Sequence, residues 1–133
     1  MEKSKLQEIR DNIRNYQLFE KEHKRLSKEL NRFPVVELSL SNIGGGSFHV
    51  YDKLVHKAKM RYEEILQQVL SIYIYAVEEH PNNRDVAILT CFIDGGMGTS
   101  DICEHLSVER TTIYRSLNRI IKGYYNNSQK NTH

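Results

Sequence analysis

The chain has 133 residues, 39% of them hydrophobic and 27% charged. That suits one modest domain or two small pieces and excludes a disordered chain. Nineteen Lys and Arg against seventeen Asp and Glu leave a net charge of only +2, so overall charge does not by itself point to nucleic acid. No apolar run reaches membrane-spanning length, and with Pro34 and Pro81 as the only prolines long helices are permitted.

The opening segment "MEKSKLQEIRDNIR" has no apolar core and does not read as a signal peptide, so a cytoplasmic protein is expected. Apolar residues then recur at Leu6, Ile9, Ile13, Tyr16, Phe19, Leu26, Leu30 and Phe33, with His23 filling one slot. Steps of three and four predict one long helix over residues 5–33, ended by Pro34. "VVELSLSNIGGGSFHV" breaks the period. Asn42 to Ser47 reads as a turn, and Val35, Leu38 and Leu40 as a short extended piece. A second helix is predicted over residues 51–79, with Leu54, Ala58, Tyr62, Ile65, Leu66, Val69, Ile72, Tyr73, Ala76 and Val77 on its apolar side. That side widens at "SIYIYAV", which implies a more buried end or contact with a second chain. The two long helices together predict an N-terminal helical hairpin, an antiparallel coiled coil, over residues 1–80.

"HPNN" is a break followed by a helix start, with Asn82 or Asn83 as cap and Asp85 complementing the helix N-terminus. A third helix over residues 84–93 buries Val86, Leu89, Phe92 and Ile93, and "DGGMG" ends it. Thr99 or Ser100 then caps a short helix over residues 101–106 with Ile102, Cys103 and Leu106 inward. After a turn at "SVE", plugged by Val108, a helix over residues 110–122 turns Ile113, Leu117 and Ile120 inward. This is the spacing of a helix-turn-helix. The fold class is therefore all-α. A DNA-binding domain occupies residues 81–133, its tail "NNSQKNTH" frayed.

From Arg110 onward there are five basic residues and no acid. At 100° per residue, Thr111, Arg115, Asn118 and Lys122 lie opposite Ile113, with Thr112 and Arg119 on one flank and Tyr114 on the other. Arg pairs with guanine edges and Asn with adenine in the major groove. Arg115, Asn118, Thr111 and Thr112 are accordingly the candidates for base contacts. Arg110, Arg119 and Lys122 are candidates for phosphate. Thr99 and Ser100 can hold a phosphate at the preceding helix N-terminus. One short helix reads few bases, so a homodimer through the N-terminal helices is expected to multiply specificity.

The stretch "NRDVAILTCFIDGGMGTSDICEHLSVERTTIYRSLNRII" resembles the C-terminal helix-turn-helix of sigma-factor region 4. A charged N-terminal helix, the "NIGGG" connection, a second long helix and this module together resemble the ArpU/RinA family of phage late-gene transcriptional regulators. The resemblance implies an activator of late phage genes in a bacterial host, with double-stranded DNA as partner; it carries over no polymerase-contacting residue and leaves RNA polymerase open as a further partner. It maps the recognition helix to Arg110–Lys122 and the supporting helix to Thr99–Leu106. Glu109 stands where such motifs often carry a Ser cap, so Ser107 is expected to cap instead.

Other signals carry less. "GGGS", Gly44 to Ser47, lacks the Gly-Lys-Ser/Thr ending of a phosphate loop. Cys91, Cys103 and His105 lack the close Cys pair of a zinc site. The six histidines show no nucleophile–base spacing. No enzyme, cofactor, metal or membrane is expected. Tyr73, Tyr75, Tyr124 and Tyr125 read as core or interface residues. Two other tasks fit the same layout: a packaging component that recognises phage DNA, and an adaptor, such as an anti-repressor or polymerase-binding factor, whose helix-turn-helix docks on protein.

Overall fold

A computed structural model of the chain describes residues 1–32 and 46–131. Those residues are all-α, six helices and their connections without a strand. Phe33, Pro34, the extended piece at Val35, Leu38 and Leu40, and all but the end of the Asn42–Ser47 turn lie outside the described residues.

The predicted first helix is two helices. α1 (Lys3–Arg14) ends at Asn15, and α2 (Tyr16–Arg32) follows at once. Both the Asn15 side-chain amide, at 2.9 Å, and its backbone N–H, at 3.0 Å, donate to the Asp11 carbonyl. A short amide side chain that competes for a helix carbonyl is a local alternative to the next turn. The apolar stripe survives the interruption: Leu6, Ile9, Ile13 and Tyr16 are all buried.

α3 (Gly46–Glu79) begins five residues earlier than its period predicts. Its predicted apolar side is only partly buried. Val69, Ile72 and Ala76 have no exposure, whereas Leu54 is 60% and Val77 61% exposed, and the unpredicted Val55 is buried. α4 (Asn83–Ile93) starts where Asn82 caps it, the Asn82 side chain accepting from the Arg84 and Asp85 N–H groups. Ile88, Leu89, Phe92 and Ile93 fill its inner face, and Val86, predicted inside, is half-buried. After α4 the chain turns at Gly96, whose φ of +60° suits glycine, and a Cβ there would lie 3.1 Å from the Gln17 side chain. Gln17 in turn donates to the Ile93 carbonyl, one of the acceptors a helix end leaves without an internal partner.

α5 (Thr99–Leu106) opens two residues before the predicted start, with Gly98 as its cap and no side-chain cap bond. α6 (Arg110–Asn131) runs well past Lys122, so the tail predicted to fray is helical as far as Asn131. The physical reason lies in what α3 offers it. Gln68 donates to the Tyr125 hydroxyl at 3.0 Å, Asn127 donates to Glu79, and the Tyr75 ring meets Tyr124 edge-on.

By contacts the chain forms two compact units, Met1–Gln17 with Gln67–His133, and Leu18–Leu66. The sequence division at residue 80 groups α1 with the long helices, whereas its contacts are with α4 and α6. In the first unit α6 packs on α1, α4 and α5. Ile113, Leu117, Ile120 and Ile121 have no exposure. In the second unit the Phe19 and Tyr62 rings meet at a tilt of 37° with centres 5.6 Å apart, and His23 pairs with Glu63 at 3.0 Å.

One carboxylate joins three segments of the first unit. Asp85 has no exposed surface. It accepts two bonds from the Arg119 guanidinium, at 2.8 and 2.9 Å, and one from His80 at 2.9 Å. Burial pushes its pKa up, but bonds from Arg119, His80 and Ser116 outweigh burial and hold the pKa at about 2. Asp85→Ala leaves the mostly buried His80 N–H without its acceptor, while the accessible Arg119 guanidinium can turn to water. It is therefore expected to lower unfolding free energy by about 1–3 kcal/mol in urea titrations. The sign of the pH effect follows from the depressed pKa. The contribution is complete above an unfolded carboxyl pKa of about 4 and is lost as pH falls through about 2. Urea midpoints measured between pH 5 and pH 2 should fall for the wild type and fall less steeply for Asp85→Asn.

Candidate nucleic-acid interface

α5 and α6 are joined by three residues, Ser107, Val108 and Glu109. Such a short link closes only if α5 stops abruptly. Ser107 supplies the stop: its φ of 54° and ψ of 49° are left-handed, and the Ser107 and Val108 N–H groups both reach the Cys103 carbonyl. Ser107 thus ends the first helix and does not cap the second, contrary to expectation. Glu109 occupies the cap position of α6, its carbonyl accepting from Ile113 N–H at 3.3 Å. Ile102 on α5 and Ile113 and Leu117 on α6 are wholly buried, while Val108, Cys103 and Leu106 are half-buried.

This packing turns the opposite side of α6 outward. Thr111, Arg115 and Lys122 are exposed, and Asn118 is half-buried. Thr112 and Tyr114, on the two flanks, are half-buried. Arg110 is exposed and donates to the Ser100 hydroxyl at 3.0 Å, which brings the starts of α5 and α6 together. Two of the sequence candidates have other surroundings. Thr99 is buried, and its hydroxyl has no hydrogen-bond partner, so Thr99 and Ser100 do not face outward as a pair. Arg119 spends its guanidinium on Asp85 and on the Ser116 hydroxyl, although 45% of its side chain remains accessible. The bonds to Asp85 raise its already high pKa.

Periodicity within α6 gave no sign of two further cations. Arg10 of α1 donates to the Asn118 side-chain oxygen at 3.3 Å. The guanidinium carbons of Arg10 and Arg14 lie 5.5 and 5.8 Å from the centre of the Tyr114 ring. Their sequence signal is an arginine pair at i and i+4 along one edge of the Leu6–Ile9–Ile13 stripe. The surroundings are not wholly basic. Asp11 lies 3.4 Å from Arg14, and α5 exposes Asp101 and Glu104.

Compared with models of known protein families, with curated proteins and with solved structures, the chain matches none. Among the described residues no three His, Cys, Asp or Glu side chains gather as metal ligands, and no helix is long and apolar enough to cross a membrane. Cys91 and Cys103 are free and half-buried, and burial pushes the Cys91 thiol pKa up. The outer side of α6 offers hydroxyl, amide, guanidinium and ammonium groups and no carboxylate. Its chemistry is hydrogen bonding and attraction of anions.

A left-handed backbone costs a residue with a Cβ roughly 1 kcal/mol that glycine avoids. Ser107→Gly is expected to raise the unfolding free energy by about 0.5–1 kcal/mol in the same titrations.

Proposed function

We propose that the chain is a sequence-specific DNA-binding transcriptional regulator, a phage or prophage late-gene activator, in which α5 and α6 act as a helix-turn-helix. The observation that carries this reading is the acid-free outer side of α6, with Thr111, Arg115 and Lys122 exposed beside a three-residue turn. An α-helix of this kind fits the major groove. Arg115 and Asn118 read bases, Thr111 and Thr112 assist, and Arg110 and Lys122 grip phosphate. Arg119 contributes charge from its accessible edge while it holds Asp85. The likeness of this stretch to sigma-factor region 4 and of the layout to the ArpU/RinA regulators points to promoters as the target. RNA polymerase would be the further partner.

The reading includes assembly. The helical hairpin expected within residues 1–80 is supported, between α2 and the first half of α3, by the Phe19–Tyr62 and His23–Glu63 contacts. Leu70, Ile74 and Val77 on α3 are 39%, 57% and 61% exposed and recur at i, i+4 and i+7. A second copy of the chain covers this stripe, and the dimer presents two recognition helices to two half-sites.

Selection of bound duplexes from a random pool tests the function directly. A reproducible site is expected. Arg115→Ala should then weaken binding to that site by about 1–3 kcal/mol and binding to unrelated duplex far less. Equal losses on both would make Arg115 a phosphate contact, and absence of duplex binding even at low salt would favour the adaptor reading instead. For assembly, the wild type should sediment at twice the chain mass. Ile74→Glu should return it to the monomer with helicity by circular dichroism unchanged.

A further inference from the structure

We infer that α1 belongs to the nucleic-acid surface: Arg10 and Arg14 form a guanidinium edge that grips the phosphate backbone beside the groove entered by α6, and Arg10 also orients Asn118. This inference rests on the DNA-binding reading and extends it to a segment a hundred residues away from α6. Three observations meet here. The stripe Leu6, Ile9, Ile13 is buried, and α1 packs on α6, so its position is set by the core. Arg10 and Arg14 stand one helical turn apart on the same edge of that stripe, and both guanidinium groups reach the Tyr114 ring. The Arg10 bond ends on Asn118, a residue of the outward side of α6.

The chemistry follows from these positions. A guanidinium over an aromatic face keeps its in-plane N–H donors free at the rim, where a phosphate oxygen can take them. Arg14 is already near an anion, Asp11 at 3.4 Å, but both partners are substantially exposed and such a pair is weak. A phosphate, with more acceptor oxygens and the gain from counterion release, displaces it. Arg10 has the second task. Its donation to the Asn118 oxygen turns the amide NH2 away from α1 and leaves one lone pair on that oxygen. A donor and an acceptor in fixed orientation are what a bidentate contact with adenine requires. Arg10 is thus a positioning residue for Asn118 and a phosphate ligand in its own right.

The experiment measures duplex affinity by fluorescence anisotropy against salt concentration. It uses the full chain, the selected site and versions of that site changed at single base pairs. Thermal melting of every variant confirms that it is folded. Each lost phosphate contact reduces the slope of log affinity against log salt by about 1. Arg14→Ala should show that reduction with base preference intact. Arg10→Lys should keep the slope, because the charge remains, yet lose preference at the base pair that Asn118→Ala also loosens. Lys5→Ala, an exposed cation elsewhere on α1, should change neither. If Arg14→Ala leaves the slope unchanged, or Lys5→Ala reduces it equally, α1 contributes only diffuse charge and the inference is overturned while the helix-turn-helix reading stands. If Arg10→Lys keeps full base preference, the positioning role is overturned. Failure of the wild type to bind any duplex removes the underlying reading and the inference with it.

Discussion

A buried carboxylate, Asp85, ties three segments of the larger unit together across its apolar core. Asp85 lies in the first turn of α4, where the helix dipole already favours a negative charge. It is fixed from behind by the Asn82 cap, which accepts from its own N–H. From the other side it receives His80, just beyond α3, and the paired N–H donors of Arg119 on α6. Because the acceptor is a carboxylate, the His80 Nε2 must carry the proton in this contact. Apolar packing alone would let α6 slide by a fraction of a turn against α4. A bidentate ion pair fixes the register, since its geometry tolerates little displacement. The orientation of every side chain on α6 inherits that constraint.

The two flanks of α6 are therefore used differently. On one, Arg119 and Ser116 turn inward to Asp85. On the other, Tyr114 and Asn118 meet the arginines of α1. Between them Thr111, Arg115 and Lys122 remain open to solvent. The short turn at Ser107 matters for the same reason, since it sets where α6 begins and so which residues reach its outer side. Past Lys122 the helix changes partner. Gly123 has no side chain, and a Cβ there would collide with the Tyr75 hydroxyl. Tyr75, Tyr124, Gln68 and Tyr125 then lock the last turns of α6 to the end of α3.

Periodicity made the helices legible, because burial follows the 3.6-residue repeat closely wherever one side is packed. Ile113, Leu117 and Ile120 were identifiable in that way; the cap was narrowed by residue type to Asn82 or Asn83, and Asn82 fills it. The break at Asn15 was hidden, since a one-residue interruption leaves steps of three and four intact. Leu54 and Val77 fit the repeat and still face solvent, because hydrophobicity shows what can be buried and not what finds a partner. The role of Asp85 was half visible: its place at a helix start is local, but its pairing with Arg119 spans 34 residues and no spacing rule reports it. Of the candidate site, the exposed row Thr111, Arg115 and Lys122 followed from angular arithmetic. The inward turn of Thr99, the engagement of Arg119 and the arrival of Arg10 and Arg14 depend on tertiary contacts, which a single amphipathic pattern does not encode.

The contact between α1 and α6 also sets an order of events during synthesis. Arg10 and Asn118 are 108 residues apart. At ordinary translation rates the ribosome takes roughly 5–20 s to cover that distance. Until its end the nascent chain carries Leu6, Ile9 and Ile13 without α6, one of the two helices that cover them. The contacts of the other unit, such as Phe19 with Tyr62, span fewer residues and can form before α6 is made. For those seconds the α1 stripe lacks part of its cover, and the surface shared by α1 and α6 is among the last parts of the molecule to form.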